Sequence, residues 1–197
     1  MAKPRSEDRR NAILSAATRV IASQGLSAAA TAAIAKEAGV SNGSFFVYFG
    51  TKAALLNELY IALKAEMVEA ATAGLDAKGE PREQVRRMWT QWLRWNTAHP
   101  EKRRALAQLD VVEDITAGSH QTVRSAFSGI ADLLDRSRAG GPMQDAPLGF
   151  VLTLITAIAE ATIDAVIREP AEAEARSSAA FDAVWRVLAR SPIPAAT

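Results

Sequence analysis

The pattern of apolar and polar residues along this chain predicts an all-α protein. Apolar residues recur every three or four positions over most of its length, which is the period of an amphipathic helix, and no segment alternates as a strand does. Glycine and proline interrupt the pattern and mark helix ends. We predict about nine helices, with these bounds: Glu7–Ser23, Thr31–Ala38, Asn42–Phe49, Lys52–Ala73, Glu80–His99, Glu101–Thr116, His120–Arg138, Leu148–Arg168 and Ala171–Arg190.

The second and third predicted helices are short and are joined by a tight corner. Gly39 can adopt the left-handed conformation that ends a helix, and Ser41 is a favourable N-cap for the helix that follows. Phe45 and Phe49 lie four residues apart, so both face the core and the opposite side of their helix stays on the surface. This arrangement is typical of a helix-turn-helix, in which the second helix reads base edges in the major groove of DNA.

The stretch AIAKEAGVSNGSFFVYFGTKAALL, residues 33–56, resembles the DNA-binding signature of the TetR (TetR/AcrR) family of transcriptional repressors. It departs from that signature at Ser44, where threonine is usual, at Phe46, where tyrosine is common, and at Ala30, where a capping threonine is usual. The resemblance covers about the first 60 residues, and beyond them it rests on length and helical layout. The matching positions are Ile34, Ala35, Ala38, Gly39, Val40, Ser41, Gly43, Tyr48, Phe49, Lys52 and Leu55.

The resemblance implies an N-terminal three-helix module with the helix-turn-helix over residues 1–52. A C-terminal helical domain for ligand binding and dimerisation would occupy residues 53–197. The exposed side of the recognition helix supplies the base contacts, and Lys52 is placed for a backbone phosphate. The predicted DNA-binding residues are Thr31, Asn42, Gly43, Ser44, Phe46, Val47, Tyr48 and Lys52.

The net charge of +1 conceals an uneven distribution. Residues 1–52 contain seven Lys or Arg and three Asp or Glu, a net charge of +4, whereas the remaining 145 residues carry a net charge of −3. The basic part of the chain therefore coincides with the helix-turn-helix, as expected of a DNA-binding module. Ahead of the first predicted helix, whose N-cap would be Ser6, Lys3 and Arg5 form either an arm that reaches into a minor groove or a disordered tail.

Three tryptophans on the helix Glu80–His99 supply more flat aromatic surface than one helix usually buries. Such surface either lines a small-molecule pocket or fills the core, and both alternatives stay open for Trp89 and Trp92. Few charges occur at the inward positions, so the ligand would be a small lipophilic effector with one or two polar groups. The predicted ligand-binding residues are Trp89, Trp92, Asn96, Leu109, Thr153, Thr156 and Glu160.

The predicted helix Leu148–Arg168 is apolar nearly all round, and the last helix is amphipathic. A chain of this size cannot cover both, so we expect a homodimer in which the last two helices pair with their symmetry mates in a four-helix bundle. The resembled family dimerises in this way. Glu160, on the same face as the two threonines, would need a partner, either a ligand or an Arg of a neighbouring helix.

The sequence lacks the patterns of catalysis, metal binding and membrane insertion. It contains no cysteine, and its two histidines, His99 and His120, stand 21 positions apart. Nucleotide-binding glycine motifs and a nucleophile elbow are also absent, so we expect no enzyme, cofactor or metal. No run of 18 apolar residues and no signal peptide are present, which predicts a cytoplasmic protein.

We therefore predict a repressor that binds a pseudo-palindromic DNA operator as a dimer and is released by the effector. The effector would act by shifting the long fourth helix. An enzyme would instead require a charged catalytic pair in a pocket, and a structural helical adaptor would show no salt-dependent DNA binding.

Overall fold

The structure is a computed structural model that describes residues 4–76 and 78–189, and within these ranges every regular element is a helix. The all-α prediction is confirmed. Ten α-helices are present, with a short 3₁₀ helix, Pro170–Glu172, between the last two. They are α1 (Pro4–Gln24), α2 (Thr31–Glu37), α3 (Asn42–Phe49), α4 (Lys52–Thr72), α5 (Pro81–Ala98), α6 (Pro100–Leu109), α7 (Ala117–Ala126), α8 (Ser128–Ser137), α9 (Leu148–Arg168) and α10 (Ala173–Leu188).

The first of two compact units consists of Met1–Glu66 and His99–Ala126. Helix α1 packs against α2 and α6, and α2 packs against α3. An apolar stripe on α1 forms the centre of this unit, since Ile13, Ala16, Ala17, Val20 and Ile21 are all buried.

The second unit consists of Met67–Ala98 and Phe127–Thr197. Here α5 packs against α8, α9 and α10, and α9 packs along α10. Trp89, Leu134, Ile163 and Phe181 lie at its centre and are almost completely buried. Helix α4 contributes residues to both units. The functional boundary predicted after residue 52 stays a prediction.

The helix ends around the helix-turn-helix form as the sequence predicts. Ser41 caps α3, because its Oγ accepts a hydrogen bond from the backbone N–H of Ser44 at 3.0 Å. Thr51 caps α4 in the same way, with its Oγ1 3.0 Å from the backbone nitrogen of Ala54. Gly39 takes a φ of +67°, the left-handed conformation expected at the corner.

The predicted helices Glu101–Thr116 and His120–Arg138 are wrong in their bounds. Helix α6 ends at Leu109, and α7 begins at Ala117, where Thr116 caps the helix by accepting a hydrogen bond from the Ser119 N–H at 3.2 Å. The second stretch is divided at Phe127 into α7 and α8, which explains why ten helices replace the predicted nine. Serine and glycine at 128 and 129 weaken the helix at this point.

The chain termini need smaller corrections. Helix α1 begins at Pro4, a residue that suits a first helical turn, so Ser6 lies inside the helix and is not its cap. Arg5 also lies within α1 rather than ahead of it, and Lys3 is outside the described residues. The last α-helix begins at Ala173, and its predicted end, Arg190, is outside the described residues.

Candidate nucleic-acid interface

The recognition helix α3 buries one side and exposes the other. Phe45 and Phe49 are 0% and 6% exposed, whereas Phe46 and Val47 are 45% and 83% exposed. Asn42 and Gly43 at its N-terminus are also exposed. The predicted separation of core and surface residues on this helix is therefore confirmed, and an apolar pair stands beside a polar amide on its outer side.

Ser44 and Tyr48 are only partly available on that surface. Ser44 is half-buried, and its hydroxyl lies 2.9 Å from the hydroxyl of Ser41 in the capping arrangement. Tyr48 is half-buried too. Thr31 is half-buried at the first position of α2, where the N-cap residue Ala30 provides no side-chain hydrogen bond.

Arg10, on α1, holds the C-terminal end of the recognition helix. Its Nη1 donates to the backbone carbonyl of Tyr48 at 2.9 Å, and its guanidinium lies 4.6 Å from the centre of the Phe49 ring. Its Nε donates to Oε1 of Glu58 at 2.6 Å, and its Nη2 donates to the other carboxylate oxygen. Arg10 thus connects three helices.

Arg10 was counted in the sequence only as one of the basic residues of the module. Its position three residues before Ile13 continues the buried stripe of α1, and this spacing is the signal that marks an inward-facing arginine. A second base is also paired, since Nε of Arg19 donates to Glu37 at 2.7 Å. Lys36 is exposed on the last turn of α2.

Lys52 is half-buried and is tied to the connection between α1 and α2. Its Nζ donates to the backbone carbonyl of Leu26 at 3.2 Å. The side chain of Gln108 on α6 binds the same connection and the end of α1. It accepts from the Leu26 N–H at 2.7 Å and donates to the Ile21 carbonyl at 3.0 Å. An ammonium has three donors, so this bond leaves Lys52 able to contact a phosphate.

Asn57 on α4 anchors the turn between α6 and α7. Its Nδ2 donates to the Asp114 carbonyl at 2.7 Å, and its Oδ1 accepts from the Thr116 N–H at 2.8 Å and from the Ser119 hydroxyl at 2.6 Å. Asn57 was not among the predicted site residues, and the signal for it in the sequence is a polar amide beside the apolar residues Leu55, Leu56 and Leu59.

Tyr60, one turn further along α4, is buried beside polar groups. Its hydroxyl lies 3.4 Å from Nδ1 of His120, and Lys64 pairs with Asp110 at 2.9 Å nearby. Burial, followed by the negative charge of Asp110, raises the pKa of Tyr60 to about 12.

The predicted ligand-binding residues are not grouped as the sequence suggested. Trp89 is buried and donates from Nε1 to the Ser177 carbonyl at 3.2 Å, while Trp92 is half-buried, with its ring 6.5 Å from that of Trp89. Asn96 is buried and donates to the Trp92 carbonyl at 2.9 Å. Leu109 is completely buried in the other compact unit.

Thr153 and Thr156, predicted to bind the ligand, lie on the outer side of α9, and their ligand-binding role stays a prediction. Both are exposed, because α9 turns its Ile163 side toward α5 and α10. The hydroxyl of Thr153 bonds to the Gly149 carbonyl of its own helix at 3.0 Å. Glu160 is half-buried on the same helix.

A groove of about 380 Å³ lies in the first unit between α1, α4 and α6. None of the seven predicted ligand-binding residues lines it. Leu14 and Leu63 form part of its floor, and Glu66 and Lys102 at its edge pair with each other at 2.6 Å. Among residues 4–76 and 78–189, no group of three or more acidic or histidine side chains could hold a metal ion.

Comparison with known proteins agrees with this geometry. A family profile described as bacterial regulatory proteins, tetR family, matches residues 13–59, which extend from α1 into α4. The HTH-type transcriptional regulator BetI of Rhizobium meliloti (strain 1021) is 40% identical over 77 residues, 39% of this chain. That match spans only 38% of the length of BetI.

Solved structures extend the likeness to the whole fold. A tetR family transcription regulator from Shewanella sp. PV-4 superposes with a TM-score of 0.83 at 25% identity, covering 93% of this chain and 99% of the other. A TetR family transcription regulator from Marinobacter aquaeolei VT8 gives 0.84 at 21% identity, covering 95% and 98%.

An all-helical chain with an exposed recognition helix in a helix-turn-helix defines a transcription regulator of the helix-turn-helix class. The chain resembles the TetR family of these regulators in its DNA-binding segment, residues 13–59, and in its whole fold.

Proposed function

We propose that this protein is a cytoplasmic repressor that binds a pseudo-palindromic DNA operator as a homodimer and leaves it when a small lipophilic effector binds. The observation that carries the proposal is the exposed side of α3. Two apolar side chains, Phe46 and Val47, stand uncovered beside Asn42 on a helix whose other side is fully packed. A surface of this kind suits the major groove, which is wide enough to admit a helix.

The chemistry of the surface favours particular bases. Asn42 can form a bidentate pair with adenine, and Val47 can contact the methyl group of thymine. Helix α3 contains no arginine, so the common bidentate contact to guanine is not available from it. We expect an operator in which A·T pairs occupy the positions opposite α3.

Selection of duplexes from a random pool, followed by fluorescence anisotropy, tests the proposal. Val47→Ala should weaken binding to the selected duplex by about 1–2 kcal/mol, the worth of two buried methyl groups, and relax the preference for thymine at one position in each half-site. The matched control is Val111→Ala in the α6–α7 turn, because Val111 is also 83% exposed. Equal effects of the two changes, or failure of the wild type to select any sequence, would contradict the proposal.

Homodimer formation is supported by the uncovered face of α9. Phe150 is 52% exposed, and Thr153, Ala157 and Ala161 are exposed along the same side of the helix. Small residues in such a row allow another helix to approach closely. Helix α9 is also long and apolar enough, by length and composition alone, to cross a membrane, with a mean hydropathy of 1.9. Its threonines and Asp164 on the open side favour a protein partner over lipid.

The effector is proposed to bind in the second unit near Trp92. The half-buried Trp92 supports this site, because part of its ring is accessible to a ligand. The buried Trp89 also fits the alternative in which the tryptophans fill the core. Helix α4, which contributes residues to both units, is one covalent link along which a change would reach the helix-turn-helix. The test is to measure whether lipophilic compounds release the selected duplex from the wild type. Trp92→Ala should lose this release.

A further inference from the structure

We propose that Arg10 is the residue that fixes the angle of the recognition helix, and that its pair with Glu58 sets DNA specificity without touching DNA. This inference rests on the proposed DNA-binding function. It begins with the length of α3, which has only eight residues. A helix this short does not hold its geometry alone, so its orientation depends on contacts with neighbouring helices.

The C-terminal end of α3 contains a carbonyl that needs a partner. Gly50 donates its N–H to the Phe46 carbonyl at 2.9 Å, and Thr51 donates to the Phe49 carbonyl at 2.7 Å. The Tyr48 carbonyl accepts from Nη1 of Arg10 at 2.9 Å. The positive guanidinium also stands at the negative end of the helix dipole, where a cation is favoured.

The guanidinium is itself held in place from two sides. Glu58 on α4 accepts hydrogen bonds from its Nε and Nη2. The centre of the Phe49 ring lies 4.6 Å from the guanidinium carbon Cζ. A planar fork can bridge a carboxylate and a carbonyl at once, which a lysine ammonium cannot do with the same geometry. Arg10 therefore fixes the C-terminal end of α3 relative to α1 and α4. This end directly follows the proposed base-contacting residues.

Two substitutions that change the net charge in opposite directions separate this role from a simple electrostatic one. Arg10→Gln removes a positive charge from the module, and Glu58→Gln removes a negative charge. If charge alone mattered, Glu58→Gln would tighten DNA binding, because it leaves the module more positive. If the pair positions α3, both changes weaken binding to the selected duplex by on the order of tenfold, as expected for lost hydrogen bonds to charged groups.

The matched control is the second ion pair of the same module. Arg19 and Glu37 lie 2.7 Å apart, and their side chains are 44% and 45% exposed. Neither residue has a hydrogen bond to α3 among those of the described residues. Arg19→Gln and Glu37→Gln reproduce the two charge changes and should leave the ratio of specific to non-specific affinity within about twofold of the wild type.

The experiment measures anisotropy for all four variants with two labelled probes, the duplex selected by the wild type and a scrambled duplex of the same composition. Both Arg10→Gln and Glu58→Gln are expected to lower the affinity for the selected duplex. Affinity for the scrambled duplex should instead follow the net charge, falling in Arg10→Gln and rising in Glu58→Gln. Arg10→Lys should not restore specificity. For Arg10→Gln, the slope of log affinity against log salt should match the slope for Arg19→Gln. Thermal unfolding of each variant establishes that it is folded at the assay temperature.

The alternative outcomes are distinct. A slope reduced by about one unit in Arg10→Gln, with rescue by Arg10→Lys, would identify Arg10 as a phosphate contact and overturn the positioning role. Arg10→Gln matching Arg19→Gln in specificity would also overturn it. If Arg10→Gln does not fold, Glu58→Gln decides the question through the direction of its effect. A wild type that selects no duplex overturns the proposed function, and this inference with it.

Discussion

At the scale of single residues, polar side chains join helices that are far apart in the sequence. Arg10, Asn57 and Gln108 each reach the backbone of another segment, 38 to 87 positions away. A hydrogen bond of this kind contributes about 0.5–1.5 kcal/mol, so these side chains stabilise the loops and helix ends that they contact.

These contacts are also the part of the site that the sequence could not supply. The buried positions Phe45 and Phe49 and the cap Ser41 follow from local spacing and were predicted. The pairing of Arg10 with Glu58 depends on which helices meet, and helical periodicity carries no information about that. The exposure of Thr153 could not be read from the sequence for the same reason, because an apolar helix does not reveal which of its sides the chain covers.

Tyr60 provides a prediction about pH. Its pKa is raised by burial and by Asp110 to about 12 from a usual value of 10.0, so the folded protein holds the hydroxyl proton more tightly than the unfolded chain. The stabilisation is complete below pH 10 and is lost as the pH rises through about 12, since the unfolded chain then binds fewer protons. Resistance to urea should therefore fall across this interval.

The measurement is a spectrophotometric titration of tyrosinate. The chain contains two tyrosines, so Tyr48→Phe leaves Tyr60 as the only one. We expect half-ionisation near 12 in the folded variant, with circular dichroism recorded at each pH, and near 10 in urea. Half-ionisation near 10 in the folded variant would contradict the prediction, and Tyr60→Phe should lose the pH dependence of stability in this interval.

At the scale of elements, one arginine organises the loop between α8 and α9. Nη1 of Arg138 donates to the carbonyls of Met143 and Ala146 at 2.8 and 2.6 Å. The loop also presses against the end of α10, because a Cβ added to Gly141 would lie 1.9 Å from the Leu188 carbonyl. The sequence placed a loop here from its glycines and prolines, but the close approach to α10 was not foreseeable from local pattern.

Gly141→Ala tests this packing. The added methyl group must displace backbone, so we expect a loss of about 1–3 kcal/mol in the free energy of unfolding. The control is Gly129→Ala in α8, where nothing lies within 4 Å of the added Cβ. That change should be neutral or stabilise the protein by up to about 1 kcal/mol, since alanine is the better helix former. Urea unfolding of both variants decides, and equal stabilities would show that the loop yields.

At the scale of the whole molecule, the outer side of α9 is an open surface that carries the exposed Phe150. Its bounds were predicted correctly, because a long apolar run between Pro147 and Pro170 is a strong local signal. The side that α9 leaves uncovered became visible only in the structure. Ile155 and Ile158 are partly buried and pack against the core of their own chain, so substitutions there would damage the fold rather than test an interface.

Ala157→Arg is the sharper test of dimer formation. Ala157 is exposed on α9, on the same side as Phe150, Thr153 and Ala161, so an arginine there leaves the single chain intact while blocking close approach of a second helix. We expect the wild type to sediment at twice the chain mass at micromolar concentration and Ala157→Arg to sediment as a monomer. The control is Ala65→Arg, the same change at an exposed position of α4, which should remain dimeric.

Because two linked recognition helices bind a palindrome far more tightly than one, Ala157→Arg should also lose most of its affinity for a two-half-site duplex while keeping its affinity for a single half-site. A monomeric wild type, or an Ala157→Arg variant that stays dimeric, would show that α9 does not form the interface.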